Sequence, residues 1–417
     1  MNESYILYAI PLFFLTIGLE MLVGYRRRKQ YYNFEDAITN LNIGIGNQAV
    51  GLLGKLLILA SYQWFYEHLS IIQLPAGNIL VWIGTLIAFD FIYYWAHRWG
   101  HEWNVMWGAH IVHHQSQEYN LSVALRQSWF HTFLSFWMFL PLPVLGVPTD
   151  VILVVAAFVT LYQYWIHTKA INRLPRVIEY IFNTPSHHRV HHATNPQYLD
   201  KNYAATFIIW DRMFGTFRKE EEEPVYGITT PLNSWDPVWA NFHFYFEMAK
   251  GSRSLKSFRQ KIALAFRGPE YLGGLLGQIS KDPQHHIKVK KYRTPVSMNM
   301  KIYVLIQFVV LTAGVFKYLL AFDELSLFYK LACFALIIMT TVTCSGIMEN
   351  KPWVSFAEIL RVLGAIILLN SLYYYNYQDW FIYMLAGSVL LGPAFLVWFT
   401  WRWILRRESP QSVNTEF

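Results

Sequence analysis

Runs of about twenty apolar residues recur along this chain, and a helix needs about that many to cross the hydrocarbon of a bilayer. Lipid offers no partner to a free backbone N–H or C=O, so a spanning segment must satisfy them itself, as a helix does. The runs therefore predict an all-α fold, a polytopic transmembrane helical bundle. They fall near 5–24, 42–64 and 78–96, and again near 301–321, 326–346, 354–374 and 379–400. A longer block from about 129 to 166 holds Pro141, Pro143 and Pro148 and is expected to divide there into two helices, which makes nine spans. The first run follows Glu3 rather than a basic stretch and has no small-residue cleavage site, so it reads as a retained span. Between about 167 and 300 the chain turns polar and should lie outside the hydrocarbon.

Composition agrees. Of 417 residues, 15% are charged and 54% apolar, against roughly 25% charged in soluble domains. The net charge of +7 is concentrated at Arg26–Lys29, at Lys250, Arg253, Lys256, Arg259 and Lys261, and at Arg402, Arg406 and Arg407. Nine spans put all three clusters on one face, which the positive-inside rule makes cytoplasmic. No dense basic helix or recognition motif suggests nucleic acid. Cys333 and Cys344, on one helix, would stand roughly 16 Å apart, and a disulfide needs alpha carbons within about 7 Å. The run Glu220–Glu223 reads as a solvated loop.

Eleven of the fifteen histidines fall between 97 and 192. They form three boxes: His97-Arg-Trp-Gly-His101, His110-Ile-Val-His113-His114, and His187-His188-Arg-Val-His191-His192. Residues three and four apart share a helix face, so each box is expected to aim two or three imidazoles at one point. One face per box yields His97, His101, His110, His113, His114, His188, His191 and His192. Eight imidazoles exceed one ion and suit two; His167, at the same level, is a candidate ninth ligand, and His187 is left open. Imidazole suits iron and zinc alike, but a structural zinc site is usually closed by four ligands, often with cysteine. A membrane metal carrier would want polar groups at mid-bilayer, whereas these boxes sit at span ends. Asp90, two helical turns before His97, is a candidate acceptor for a histidine N–H. His68, His131, His243 and the pair His285–His286 lack such company and read as surface or packing residues. Trp95, Trp99, Trp103, Trp107 and Trp129 read first as interfacial anchors, with channel lining as the alternative.

At these boxes the chain resembles the fatty acid hydroxylase and sterol desaturase superfamily, whose pattern is HxxxH, HxxHH and a distant HxxHH. Within it, the wording is similar to the ether-lipid-cleaving branch: His97–Glu102, Asn104–His114, Tyr119–Ser128, Asn183–His192, Asp200–Tyr203 and Ile209–Phe217. The resemblance is strong from about 40 to 230. It implies two irons in a cytoplasmic histidine-rich cap, activating O2 to hydroxylate a lipid C–H bond. In that branch the carbon beside an ether oxygen is attacked, and glyceryl ethers break into a fatty aldehyde and a glycerol derivative. The branch uses tetrahydrobiopterin, associated with a glutamate directly after the first box, here Glu102; the alternative for Glu102 is an acceptor orienting a histidine. Other members draw electrons from redox proteins, so the donor is either. A sterol, fatty-acid or carotenoid hydroxylase or desaturase is the alternative activity. Asn120, Arg126 and Asp211 match the branch too, and Arg126 is a candidate for a lipid phosphate or a loop carboxylate. The expected organisation is an anchor span over 1–40, the histidine-box domain over 41–230, a linker and amphipathic region over 231–300 and a C-terminal transmembrane domain over 301–417.

Overall fold

Proline and length decide which apolar runs become spanning helices. The structure, a computed structural model, describes residues 4–278 and 290–408, so the pair His285–His286 lies outside the described residues. Helix α1 covers Ser4–Arg26, α2 Phe34–Leu69, α3 Ile79–Glu102 and α4 Asn104–His114. The proline-bearing block does not make two spans. Its first part breaks into turns at His131–Ser135, Phe136–Phe139 and Pro141–Val144, and its second is the 17-residue helix α5, Thr149–Trp165. Three prolines without N–H groups interrupt the ladder too often for a continuous span. The corner closes at Gly146, whose φ of +90° puts its alpha carbon where an added Cβ would lie 1.9 Å from the Ile72 carbonyl oxygen.

Among the described residues, five helices are long and apolar enough to cross a membrane: Ile79–Glu102, Met298–Glu324, Leu327–Met348, Val354–Asn376 and Gln378–Trp401. The pair Phe34–Gly54 and Leu56–Leu69, bent by 48°, adds a sixth if it counts as one span. The count is thus five or six rather than nine. The described residues form no extended strand, only an isolated bridge between Ala193 and Tyr226.

The chain divides into two units, Met1–Thr294 and Pro295–Phe417. In the first, α3 and α5 pack through Phe89, Val151, Val155 and Val159 with Leu142 and Met138. After Glu102 the chain reverses: Trp103 caps α3 through its N–H to the Trp99 carbonyl, and Asn104 opens α4, pinned by the Arg267 and Leu264 carbonyls at 2.8 and 3.0 Å. Further on come α6, Pro185–His191, which starts with proline in its first turn, and α7, Pro237–Ser252, capped by Asp236. A Cβ on Gly108 would meet the Tyr245 ring at 2.7 Å, so glycine lets α4 and α7 approach closely. The second unit is four helices in sequence, α8 Met298–Ala321, α9 Leu327–Met348, α10 Val354–Asn376 and α11 Gln378–Glu408. Cys333 and Cys344 share α9 and are both free, as their spacing requires.

Candidate metal centre

The last two turns of α3 carry His97 and His101, the last two turns of α4 carry His110, His113 and His114, and α6 with its C-cap carries His188, His191 and His192. His167 follows α5 by two residues. These nine side chains are all buried. They assemble into two groups, His97, His101, His110, His114 and His191, and His113, His167, His188 and His192, with the candidate ligand nitrogens of each group within 4.8 Å of one another. The boxes do not each serve one point, as spacing alone suggested. Successive helical residues diverge by about 100°, so the neighbours His113 and His114, and likewise His191 and His192, go to different groups. The groups abut: the His114 and His192 rings stack at 4.4 Å.

Tautomers follow from the second nitrogen of each ring. The Nδ1 atoms of His97, His113, His167 and His191 face the carbonyl oxygens of Tyr203, Arg126, Gln163 and Lys201 at 2.6, 3.0, 2.7 and 3.0 Å. A carbonyl only accepts, so each Nδ1 donates and each Nε2 presents a lone pair inward. His113 and His167 then hold two lone pairs 3.1 Å apart. Further ring nitrogens meet at 2.9 Å (His97 to His110), 3.0 Å (His110 to His114 and His167 to His188) and 3.2 Å (His188 to His192). The Nε2 atoms of His101 and His191 are buried with no partner. A proton is a poor remedy: burial, then neighbouring imidazoles, hold His110, His113, His114, His188 and His192 well below the ordinary imidazole value, and burial takes His167 down to about 4. A metal cation fits. Metal–imidazole bonds of about 2.1 Å put neighbouring ligand nitrogens about 3 Å apart.

Other expected residues stand elsewhere. Asp90 is fully buried but does not meet a histidine; it accepts from the Thr206 and Phe207 N–H groups at 2.8 and 3.0 Å and from Trp210 Nε1 at 2.9 Å. Asp211 braces the adjoining residues, accepting from the N–H groups of Tyr203 and Ala204 at 2.8 and 2.9 Å. Two carboxylates therefore fix the segment whose Tyr203 carbonyl orients His97. Burial raises the Asp211 carboxyl to about 6. Glu102 pairs with Arg98 at 2.7 Å on the open side of the last α3 turn and touches no histidine. Arg126 is buried and donates to the Val112 carbonyl, Asn40 and Gln115, locking the turn after the second box. The Asn120 side chain caps the turn Leu121–Ala124 and donates to the Tyr31 carbonyl. His187 points to Thr184 and Phe217, outside both groups. Trp107 covers the first group, 4.9 Å from the His101 ring.

Two residues escaped sequence reasoning. His131, taken for a packing residue, lies 5.5 Å ring to ring from His110 with its Nε2 buried and unpartnered; nothing in its local sequence signals this. Glu220 is not simply solvated: both its oxygens bind Arg189 of the third box at 2.7 Å. The acidic run hid that role, since Arg189 is thirty-one residues away.

Comparison with known proteins places this geometry. Residues 82–216 match the fatty acid hydroxylase family model. Alkylglycerol monooxygenase of Homo sapiens is 36% identical over 371 residues, 88% of this chain and 82% of the relative. The Xenopus tropicalis protein of that name is 34% identical, over 86% and 81%. Ornithine lipid hydroxylase OlsE of Rhizobium tropici is 30% identical over 154 residues, 37% of this chain and 46% of its own. No solved structure matches.

Proposed function

Because the chain belongs to the fatty acid hydroxylase family and is a membrane lipid monooxygenase of that superfamily, we propose that its substrate is an alkylglycerol and its product a fatty aldehyde. The observation that carries this is the reach of the likeness. An alignment of 371 residues is longer than the whole first unit, so it extends into the helices beyond Thr294, whereas the ornithine lipid hydroxylase match covers only 154. Hydroxylation of the carbon beside the ether oxygen consumes O2, two electrons and two protons and releases one water. The hemiacetal formed then collapses to aldehyde and glycerol.

The nine histidines of the two groups would hold two iron ions. Bound there, iron supplies the dioxygen and one-electron chemistry that side chains lack. The protein's own work is positional. Carbonyls of Tyr203, Arg126, Gln163 and Lys201 hold four rings in the metal-binding tautomer, and Asp90 and Asp211 hold the first of those carbonyls in place through the segment around it. Burial of all nine rings keeps bulk water from the reacting centre. The electron donor is a tetrahydropterin or a redox protein, and Glu102 remains a candidate contact for the pterin.

The histidine groups face the cytoplasm in this reading. Arg27, in the basic cluster after α1, donates to the Ala170 carbonyl at 2.7 Å, three residues past His167, so positive charge and histidines share one level. The organisation proposed is an anchor (1–40), the histidine-box domain (41–230), a linker (231–300) and a membrane domain (301–417).

The test is turnover of an alkylglycerol by iron-loaded protein in detergent with O2 and tetrahydrobiopterin, following fatty aldehyde by mass spectrometry. Aldehyde that vanishes in His113→Ala supports the reading. Two bound irons without aldehyde, under any reductant, would leave a lipid hydroxylase with another substrate. One zinc, or no metal, would sink the di-iron proposal.

A further inference from the structure

The stretch that follows α7 carries apolar side chains on two sides at once. A capping box between Ser257 and Gln260 starts the short helix Phe258–Ala265, which buries Leu264 in one cluster with Ile111 and Val112 of α4. Yet Phe258, Ile262 and Phe266 are 77%, 50% and 56% exposed. Residues four apart drift only about 40° around a helix, so these three form one stripe, nearly opposite Leu264, with Arg259 and Lys261 on its two flanks. The neighbouring α7 is built alike: Ala240 and Phe244 face the same core, while Trp239, Phe242 and Phe246 are exposed, three and four residues apart. Packing on a core needs one apolar face, and a second one is a cost in water.

Two ring contacts fix the level of these stripes. Phe266 meets Trp103 edge-on at 5.5 Å, and Trp103 stacks on Trp99 at 4.5 Å, at the end of α3, a helix long and apolar enough to cross a membrane. Phe242 meets Phe130 edge-on at 5.1 Å, one residue before the apolar turns that begin at His131. The stripes are thus continuous with the aromatics of a span end, the level of lipid headgroups. Charge agrees: Lys250, Arg253, Lys256, Arg259 and Lys261 are all exposed, and no acidic residue lies between Glu247 and Glu270. We propose that the stretch from Trp239 to Arg267 is a binding surface for anionic lipid. It lies along the leaflet, with its apolar stripes in the acyl boundary and its basic side chains on the lipid phosphates. The leaflet then bears directly on the scaffold of the histidines, because the Leu264 and Arg267 carbonyls accept from the side chain and the backbone N–H of Asn104, the first residue of α4. The inference is independent of which lipid is oxidised.

The test places a bimane fluorophore at Ile262→Cys in the full chain, with Cys333→Ser and Cys344→Ser to leave one thiol, reconstituted in bilayers of phosphatidylcholine with phosphatidylglycerol. Metal content equal to the parent's shows that the variant folds. Lipids brominated on their chains should quench the fluorophore, and iodide in the water should not. At equal mole fraction, brominated phosphatidylglycerol should quench more than brominated phosphatidylcholine, by about threefold or more in local enrichment. That preference should vanish when Lys256→Gln, Arg259→Gln and Lys261→Gln are combined, and should shrink in high salt. Quenching by iodide rather than by lipid would put the stripe in water and overturn the proposal. Shielding from both quenchers would mean that a protein, such as a second copy of the chain, covers the face, and the proposal would fail. Equal quenching by the two lipids would refute the anionic assignment. The unaltered chain offers a second measurement. Hydrogen exchange of the amides over 256–266 should be several-fold slower in the anionic bilayer than in pure phosphatidylcholine, and identical rates in the two would also overturn the assignment.

Discussion

In the unit ending at Thr294, buried imidazoles face one another with lone pairs that nothing among the described residues neutralises. In the unit from Pro295 onward, buried polar groups answer one another. Glu358, 1% exposed, takes two hydrogen bonds from Arg361 at 2.8 and 2.5 Å and one from Tyr303, and Arg361 also donates to Gln307 at 2.7 Å. That second unit contains no histidine. A self-neutralising network needs no ligand and rigidifies its helices. A convergent set of lone pairs is incomplete until a cation enters. The same low dielectric therefore marks one region as a scaffold and the other as a site.

The sharpest way to break this contrast is to remove one imidazole. His188→Ala takes a ligand candidate from the second group, where its Nε2 meets both His167 and His192. Iron content measured by atomic absorption should fall by about half, and hydroxylation should drop below detection, since effects within a unit that acts together are not additive. Full activity at full iron content would mean that the lone-pair convergence is packing.

Next in size is the converse experiment in the other unit. Arg361→Ala leaves Glu358 charged, buried and without its main partner, which should cost about 3–5 kcal/mol. The thermal midpoint in detergent should fall sharply while the iron bound per folded molecule stays that of the parent. Loss of iron along with stability would show that the two regions are not separable in the way their chemistry suggests.

These two regions were unequally legible in the sequence. The boxes announced themselves because helical spacing of three and four is a strong local signal, and all nine candidate ligands lie in the two groups found. How the boxes divide was hidden: the 100° step between His113 and His114, or between His191 and His192, only acquires meaning once the facing helices are in place. The carbonyls that set tautomers carry no side-chain signature, so Tyr203 and Lys201 could not have been read for that role. The proline block misled for a different reason. Apolar composition measures the cost of exposure to water, not the continuity of a helix, and Pro141, Pro143 and Pro148 decide the latter. In the second unit the runs were readable, but Glu358 and Arg361 lay in a stretch whose overall apolarity masked them.

A smaller effect is expected from pH. The Asp211 carboxyl, raised by burial to about 6, holds its proton more readily folded than unfolded. Its contribution to stability is therefore fully present below the ordinary carboxylate range and is lost as pH rises through about 6, on the order of 3 kcal/mol. Asp211→Asn cannot titrate, so the thermal midpoint of the parent should fall relative to the variant between pH 5 and pH 7. Parallel curves would mean that the bonds from Tyr203, Ala204 and Thr216 already offset the desolvation.

The smallest expected effect is also the one that best defines the border of the site. Asp90 touches no histidine, yet its two oxygens gather the N–H groups of Thr206 and Phe207 and the indole of Trp210, all downstream of the Tyr203 carbonyl that orients His97. Asn at this position keeps one acceptor and turns the other into a donor aimed at donors, so one bond is lost and a repulsion replaces it. The segment should loosen by a fraction of an ångström, enough to relax the hold on the His97 ring. Iron affinity should drop about tenfold, the lower end for changes behind a ligand, while Asp90→Glu should do no better, because the longer side chain cannot fit the same three donors. If the structure of the second unit alone governed stability, Asp90→Asn would leave iron retention against a chelator unchanged. A retention curve shifted in Asp90→Asn but not in Arg361→Ala would draw the functional boundary through the carboxylates behind the histidines, rather than at the histidines themselves.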